Sequence, residues 1–301
     1  MATFVLVPGY WLGAWAWDEV AAELRAAGHR AVPVTLTGLA ERAGEATPEV
    51  DLDVHVADVV AAVEDAVRGG GSDGGVDGGV DGGDGRVVLV AHSGGAMPVT
   101  GAADRIPGRV ARIVYVDTGP MPSGMANIDF HEPEGRAELE RQVAGEGAGW
   151  LLPVPPFAPG EGDGPGEDAA DLAGLTQEHL AALRERGTPQ PFGTVTQPLE
   201  RPDPLPATPR TLIATSIPLE AVRAMAEGGH PVFALMAGPG WTHRSLPTGH
   251  WPMFSRPREL AALLAAEAGG TEADETAGGE TAGGETAGGA ARKAAADVPG
   301  A

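Results

Sequence analysis

With 301 residues and no cysteine, the chain can build neither a disulfide framework nor a thiolate metal site, so its stability must come from a packed core. A hydrophobic fraction of 43% suits one large α/β domain. The formal net charge of −22, from 42 acidic against 20 basic residues, argues against nucleic acid and anionic membrane surfaces as partners, because long-range repulsion opposes both.

The first residues, MATFVLVPG, have no basic start followed by a long apolar segment, and no later stretch approaches the roughly 20 apolar residues of a membrane span. That points to a soluble, cytoplasmic protein. TFVLVPG (3–9) reads as a buried strand, and AWDEVAAELRAAGHR (16–30) as a helix with Trp17, Val20, Ala21 and Leu24 on one face and Gly28 as its stop. Trp15 and Trp17 belong to its core side. AVPVTL (31–36) is a second strand, and DLDVHVADVVAAVEDAV (51–67) a second helix that turns Val54, Val59 or Val60, and Val63 inward. The Gly/Asp segment 68–86 repeats GGVD and has too little apolar surface to offset the entropy of ordering, so a flexible loop is expected there.

RVVLVAH (86–92) follows as a strand, with a helix opening at Gly94 and then another strand, ARIVYVD (111–117). Unbroken Val/Ile/Leu runs alternating with helices predict a mostly parallel sheet covered on both faces, an α/β architecture. Between 118 and 205 the sequence becomes rich in Pro and Gly, with a short helix in TQEHLAALRERG. An insertion after a strand of a parallel sheet lies over the C-terminal strand edge, where such folds bind ligands, so this segment is expected to be a lid. PRTLIAT (209–215), a helix in PLEAVRAMAEGG, a strand around WTHRSLP (241–247) and a helix in RPRELAALLAAEA restore the alternation. The expected layout is a core of 1–117 and 206–267, a cap of 118–205, and a disordered tail of 268–301 that carries ETAGG three times.

Chemistry concentrates at VVLVAHSGGA (87–96). A strand, a sharp turn carrying a serine and an immediate helix project that serine above the sheet edge, and the turn requires small residues two positions either side. Ala91 and Gly95 meet that requirement around Ser93. A serine needs a base, and His250 in LPTGHWPMFSRP lies beyond the last strand at the same edge. His243, within a strand, and His230, in a loop, are less well placed, and His92 should point away from the site. The orienting acid is harder to find, since PRTLIATSIPLEAV offers no carboxylate before Glu220. Asp117 ends the strand beside that of Ser93 and is the assigned acid, with Glu220 in reserve. The Gly94 and Tyr10 N–H groups are the expected oxyanion donors. Trp11, Met121, Trp150 and Trp251 are the expected pocket wall, with Leu151, Leu152 and Phe157 as further apolar residues of the cap.

VLVPGYWLGAWAWDEV, AHSGGA and LPTGHWPMFSRP together resemble the α/β-hydrolase superfamily, and more narrowly its methylesterase and hydroxynitrile lyase-like branch and actinobacterial relatives. The resemblance spans most of residues 2–267 and thins through the lid. It implies a Ser-His-acid triad acting on small esters, lactones or amides without cofactor or metal. By position, Ser93 matches the nucleophile, His250 the base, and Tyr10 and Gly94 the oxyanion donors. Pro8 replaces the family's usual histidine of a His-Gly pair. ATSIP is short where the family carries its acid, and Trp251 stands where the lyases place a lysine, which argues against lyase chemistry. The expected function is hydrolysis of a small, largely apolar ester or lactone. Two other readings stay open: a non-catalytic small-molecule binder, and a cofactor-free catalyst of elimination, cyclisation or peroxidase-type chemistry. A carboxylate bonded to the His250 ring would separate hydrolase from binder. The apolar lid could also serve as a homodimer contact.

Overall fold

The computed structural model describes residues 1–69, 85–158 and 169–268. Nearly all of the Gly/Asp loop and of the ETAGG tail expected from the sequence lies outside the described residues. Six parallel strands form the central sheet in the order β2-β1-β3-β4-β7-β8. They are β1 (Thr3–Val7), β2 (Arg30–Pro33), β3 (Val87–His92), β4 (Val110–Val116), β7 (Arg210–Ala214) and β8 (Trp241–Ser245). A two-stranded antiparallel pair, β5 (Leu151–Leu152) with β6 (Gln190–Pro191), stands apart from it.

The strands read as unbroken apolar runs because successive residues supply two different cores. Phe4, Leu6, Val88, Val90, Val114 and Val116 face one side, where α1 (Asp18–Ala26) and α10 (Pro257–Glu267) pack through Val20, Leu24, Leu260 and Leu264. Val5, Val7, Leu89, Ala91, Ile113 and Tyr115 face the other, against α2 (Leu52–Gly69) and α3 (Ala96–Arg105). Alternation along each strand thus divides the sheet between two helical layers.

Several boundaries differ from the sequence expectation for local reasons. The first helix begins as a 3-10 turn at Ala14–Trp17, and α1 ends at Ala26, where Gly28 takes φ +82° and turns the chain. Pro33 closes β2, since it has no N–H for the ladder. On α2 the buried stripe is Leu52, Val56, Val59, Val63 and Ala66, joined by His55. Val54 lies off that 4-3-4-3 spacing and is only partly buried.

Between β4 and β7 come α4 (Pro133–Gly145), β5, α5 (Gln177–Arg186), β6 and α6 (Gly193–Thr196). Leu152, Phe157, Leu180 and Leu183 of this segment join the same core as Trp11 and Trp251. After β7, α7 (Leu219–Glu227) and α8 (Pro231–Ala234) cover the other face, and α9 (Pro252–Ser255) precedes α10. No helix among the described residues is long and apolar enough to cross a membrane.

Candidate active site

Three non-glycine residues at the C-terminal edge of the sheet adopt the left-handed backbone region: Trp11 after β1, Ser93 after β3 and Asp117 after β4, with φ of 65°, 53° and 51°. Such conformations cost energy and persist only where surrounding packing enforces them. At Ser93 the enforcement is visible. The fully buried β3 ends in a tight turn at Ser93–Gly95 that runs straight into α3. A Cβ on Gly95 would lie 2.5 Å from the Pro8 carbonyl oxygen, so β1 and the start of α3 can approach this closely only with glycine there. The Thr118 hydroxyl donates to the Ser93 carbonyl at 3.0 Å and ties the turn to the end of β4.

His250 lies between β8 and α9 and is buried. Its backbone N–H donates to the Asp171 carbonyl at 2.7 Å. Its ring meets Ser93 Oγ through Nε2 at 2.8 Å and Asp117 Oδ2 through Nδ1 at 2.8 Å. An ionised carboxylate can only accept, so Nδ1 carries the proton and Nε2 accepts from the serine hydroxyl. Asp117 is held in turn by the loop after β7. Its Oδ1 accepts from the N–H groups of Thr215 and Ser216 at 2.9 and 3.0 Å, and Oδ2 from the Ser216 hydroxyl at 2.5 Å. Burial is the strongest influence on Asp117 and pushes its pKa up. The bond to and charge of His250, with the Ser216 and Thr215 donors, together outweigh burial and hold the group below the ordinary carboxylate value. Glu220, the reserve acid, sits in the first turn of α7 and is exposed.

His92 stays outside the cavity, yet it is engaged with the base from behind. Its Nε2–H donates to the His250 carbonyl at 2.7 Å, and the two rings lie 4.8 Å apart. Burial first, and then the charge of His250, lower its pKa to about 3, so the ring is neutral. The loop after β1 lies directly against the nucleophile: a Cβ on Gly9 would be 2.8 Å from that of Ser93, and the Tyr10 ring covers Gly94. The Trp11 N–H donates to Gln190 Oε1 at 3.2 Å.

A mainly apolar cavity, partly open to solvent, is lined by Ser93 and His250 together with Met121, Phe233 and Met236. Met121 is therefore in the wall. Trp11, Trp150 and Trp251 are not among the residues that line it. Trp11 and Trp251 pack edge-on against the buried Phe157, with ring centroids 6.2 and 5.5 Å away. Trp150 precedes β5 and accepts a backbone bond from Phe192 at 2.8 Å.

Comparison with known proteins decides the family. The model of the Alpha/beta hydrolase family matches residues 4–263. The chain belongs to this family. A carbendazim hydrolyzing esterase from Nocardioides sp. (strain SG-4G) is 29% identical over 88% of this chain and 99% of its own length. Methylesterase 7 of Arabidopsis thaliana is 34% identical over 38% of each chain. The structure of an extracellular alpha/beta-hydrolase from a Paenibacillus species shares the fold, with a TM-score of 0.63 at 20% identity over 90% of this chain and 100% of that one. This is an esterase-like α/β-hydrolase.

The sequence reading of this hydrolase missed two groups of residues around the site. Thr215, Ser216 and His92 stand behind Asp117 and His250, and no local pattern marks a hydroxyl or imidazole as a partner of a residue far along the chain. Val222 of α7, Val232 and Phe233 of α8, and Met236 just after α8 form much of the cavity wall. The sequence marked PLEAVRAMAEGG as a helix but not as a border of a cavity.

Proposed function

We propose that this α/β-hydrolase cleaves small, largely apolar esters or lactones with Ser93 as nucleophile, His250 as base and Asp117 as orienting acid. The observation that carries the proposal is the continuous chain of bonds from Ser93 Oγ through both ring nitrogens of His250 to Asp117, each 2.8 Å long, opening on an apolar cavity. In the acylation step Ser93 Oγ attacks the ester carbonyl while its proton passes to His250 Nε2. The imidazolium, balanced by ionised Asp117, then protonates the departing alkoxide. In the second step His250 takes a proton from water, the hydroxide attacks the acyl carbonyl, and Ser93 leaves with the proton returned. The N–H groups of Gly94 and Tyr10 are the proposed oxyanion donors. Loss of one such donor costs about 3 to 4 kcal/mol of transition-state stabilisation in acyl-transfer enzymes.

Among the described residues the cavity lining contains no Lys or Arg, so its chemistry favours a neutral, apolar substrate over a phosphate or carboxylate. Relatives named as esterases support ester hydrolysis over the other reactions open to this fold. A non-catalytic binder would not need the histidine held by a carboxylate, and here Asp117 is bonded to the ring.

Fluorophosphonate labelling of the purified protein tests the reading. Wild type should label at one site, and Ser93→Ala and His250→Ala should not. A folded wild type that resists the probe contradicts the proposal.

A further inference from the structure

Two residues of the cavity wall are in tight contact. Gly119 lies two residues beyond Asp117 and lines the cavity, as does Met236 just after α8. A Cβ on Gly119 would fall 2.4 Å from Met236 Sδ and 3.0 Å from its Cε, so the thioether rests directly on the glycine backbone. The Met236 main chain is pinned, because its carbonyl accepts from His243 Nε2 at 2.9 Å in β8. Any pressure from Gly119 must therefore be relieved by rotation of the Met236 side chain, which is buried and borders open space on the cavity side. An unbranched thioether with three rotatable bonds is well suited to such a movement.

We propose that the Gly119–Met236 contact is the size gauge of the site and sets how long a straight apolar substituent of the substrate can be. The proposal rests on the reading of the cavity as the ester-binding pocket and adds which residues select within that substrate class. Adding a methyl group at Gly119 drives the thioether into the cavity and shortens it. Truncating Met236 removes side-chain volume from the wall and gives the substituent more room.

The test compares wild type with Gly119→Ala, Met236→Ala and Met236→Leu. Two series are measured: p-nitrophenyl esters from acetate to octanoate, and alkyl benzoates from methyl to octyl. The quantity read is the ratio of kcat/KM for the longest to the shortest member, which cancels any general loss of activity. One methylene in an apolar pocket changes selectivity by about tenfold or more, so Gly119→Ala should lower this ratio by about tenfold in one of the two series. Met236→Ala should raise it in the same series, with Met236→Leu between Met236→Ala and wild type. Melting temperatures in straight-chain alcohols from butanol to decanol give a second readout that needs no turnover. Stabilisation should stop growing at a shorter chain in Gly119→Ala and at a longer one in Met236→Ala. Ester turnover with chain-length profiles unchanged by the variants, in rates and in melting temperature, overturns the gauge and leaves the hydrolase reading intact. A wild type that cleaves no ester, yet shows the opposed shifts with alcohols, upholds the gauge and overturns the hydrolase reading.

Discussion

At the scale of single residues, Ser93 and His250 stood out as candidates because their signals are local. A small-Ser-small turn after an apolar strand is a steric requirement written within five residues, and the Gly95 contact with Pro8 shows its origin. Alanine at 95 would press a methyl group against a backbone oxygen that cannot yield. Gly95→Ala should therefore lower the unfolding free energy by about 1 to 3 kcal/mol, as expected for overpacking, and urea denaturation checks this. Stability equal to wild type contradicts the close approach. The acid was harder to place because its evidence is spread over two strand ends. Asp117 follows β4, while three donors that help His250 keep it ionised come from Thr215 and Ser216 after β7. In the family pattern the loop after β7 supplies the carboxylate itself. Here it supplies the donors, and only the pairing of β4 with β7 brings the two parts together.

Among the elements, those with one clean periodicity were read nearly correctly, and errors arose where tertiary packing selects among plausible faces. The Val-rich α2 offered several apolar stripes, and its crossing over α3 selected the one through Val56 and Val59. Polar anchoring was invisible in the sequence. Glu267 looks like the end of an amphipathic helix, yet its buried carboxylate lies 3.3 Å from Arg112 of β4 and 3.1 Å from Arg244 of β8, and accepts from the Thr211 hydroxyl of β7 at 2.7 Å. It fastens the last helix to three strands. Removing its charge leaves two guanidinium groups without their carboxylate, while their partial exposure lets water compensate in part. Glu267→Gln should therefore destabilise the fold by about 1 to 3 kcal/mol, read as a lower urea midpoint with an unchanged slope. A midpoint equal to wild type means that the network contributes nothing net. The segment between β4 and β7 stayed the least legible, since the packing of Trp11, Phe157 and Trp251 into one cluster joins residues from three distant stretches.

For the whole molecule, fold class followed from the alternation of strands and helices, and the order of the strands did not, because periodicity says nothing about which strands are neighbours. The buried histidines give the folded state a pH signature. Burial lowers the pKa of His55 and His92, and that of the partly buried His131, so these rings take up protons at lower pH in the folded chain than in the unfolded one, which does so near pH 6.5. The unfolded state then binds more protons below that pH, and stability falls as pH drops from about 6.5 toward 4. Asp117 acts lower down: its depressed pKa contributes stability above the ordinary carboxylate value, and that is lost as pH falls through its folded value. Relief of the −22 net charge by protonation of exposed carboxylates reaches its midpoint near pH 4, toward the lower end of the histidine window. Melting temperatures should accordingly decline between pH 6.5 and 4.5, with His55→Gln flattening the slope. A flat profile in wild type contradicts the lowered histidine pKa values. The account as a whole turns on Asp117 completing the site, and steady-state hydrolysis of p-nitrophenyl butyrate by wild type, Asp117→Asn and Glu220→Gln tests this most directly. A triad predicts that Asp117→Asn loses about 10⁴-fold in kcat, since the amide favours the wrong histidine tautomer, while Glu220→Gln stays within about twofold of wild type. Full activity in Asp117→Asn, or a comparable loss in Glu220→Gln, would contradict it.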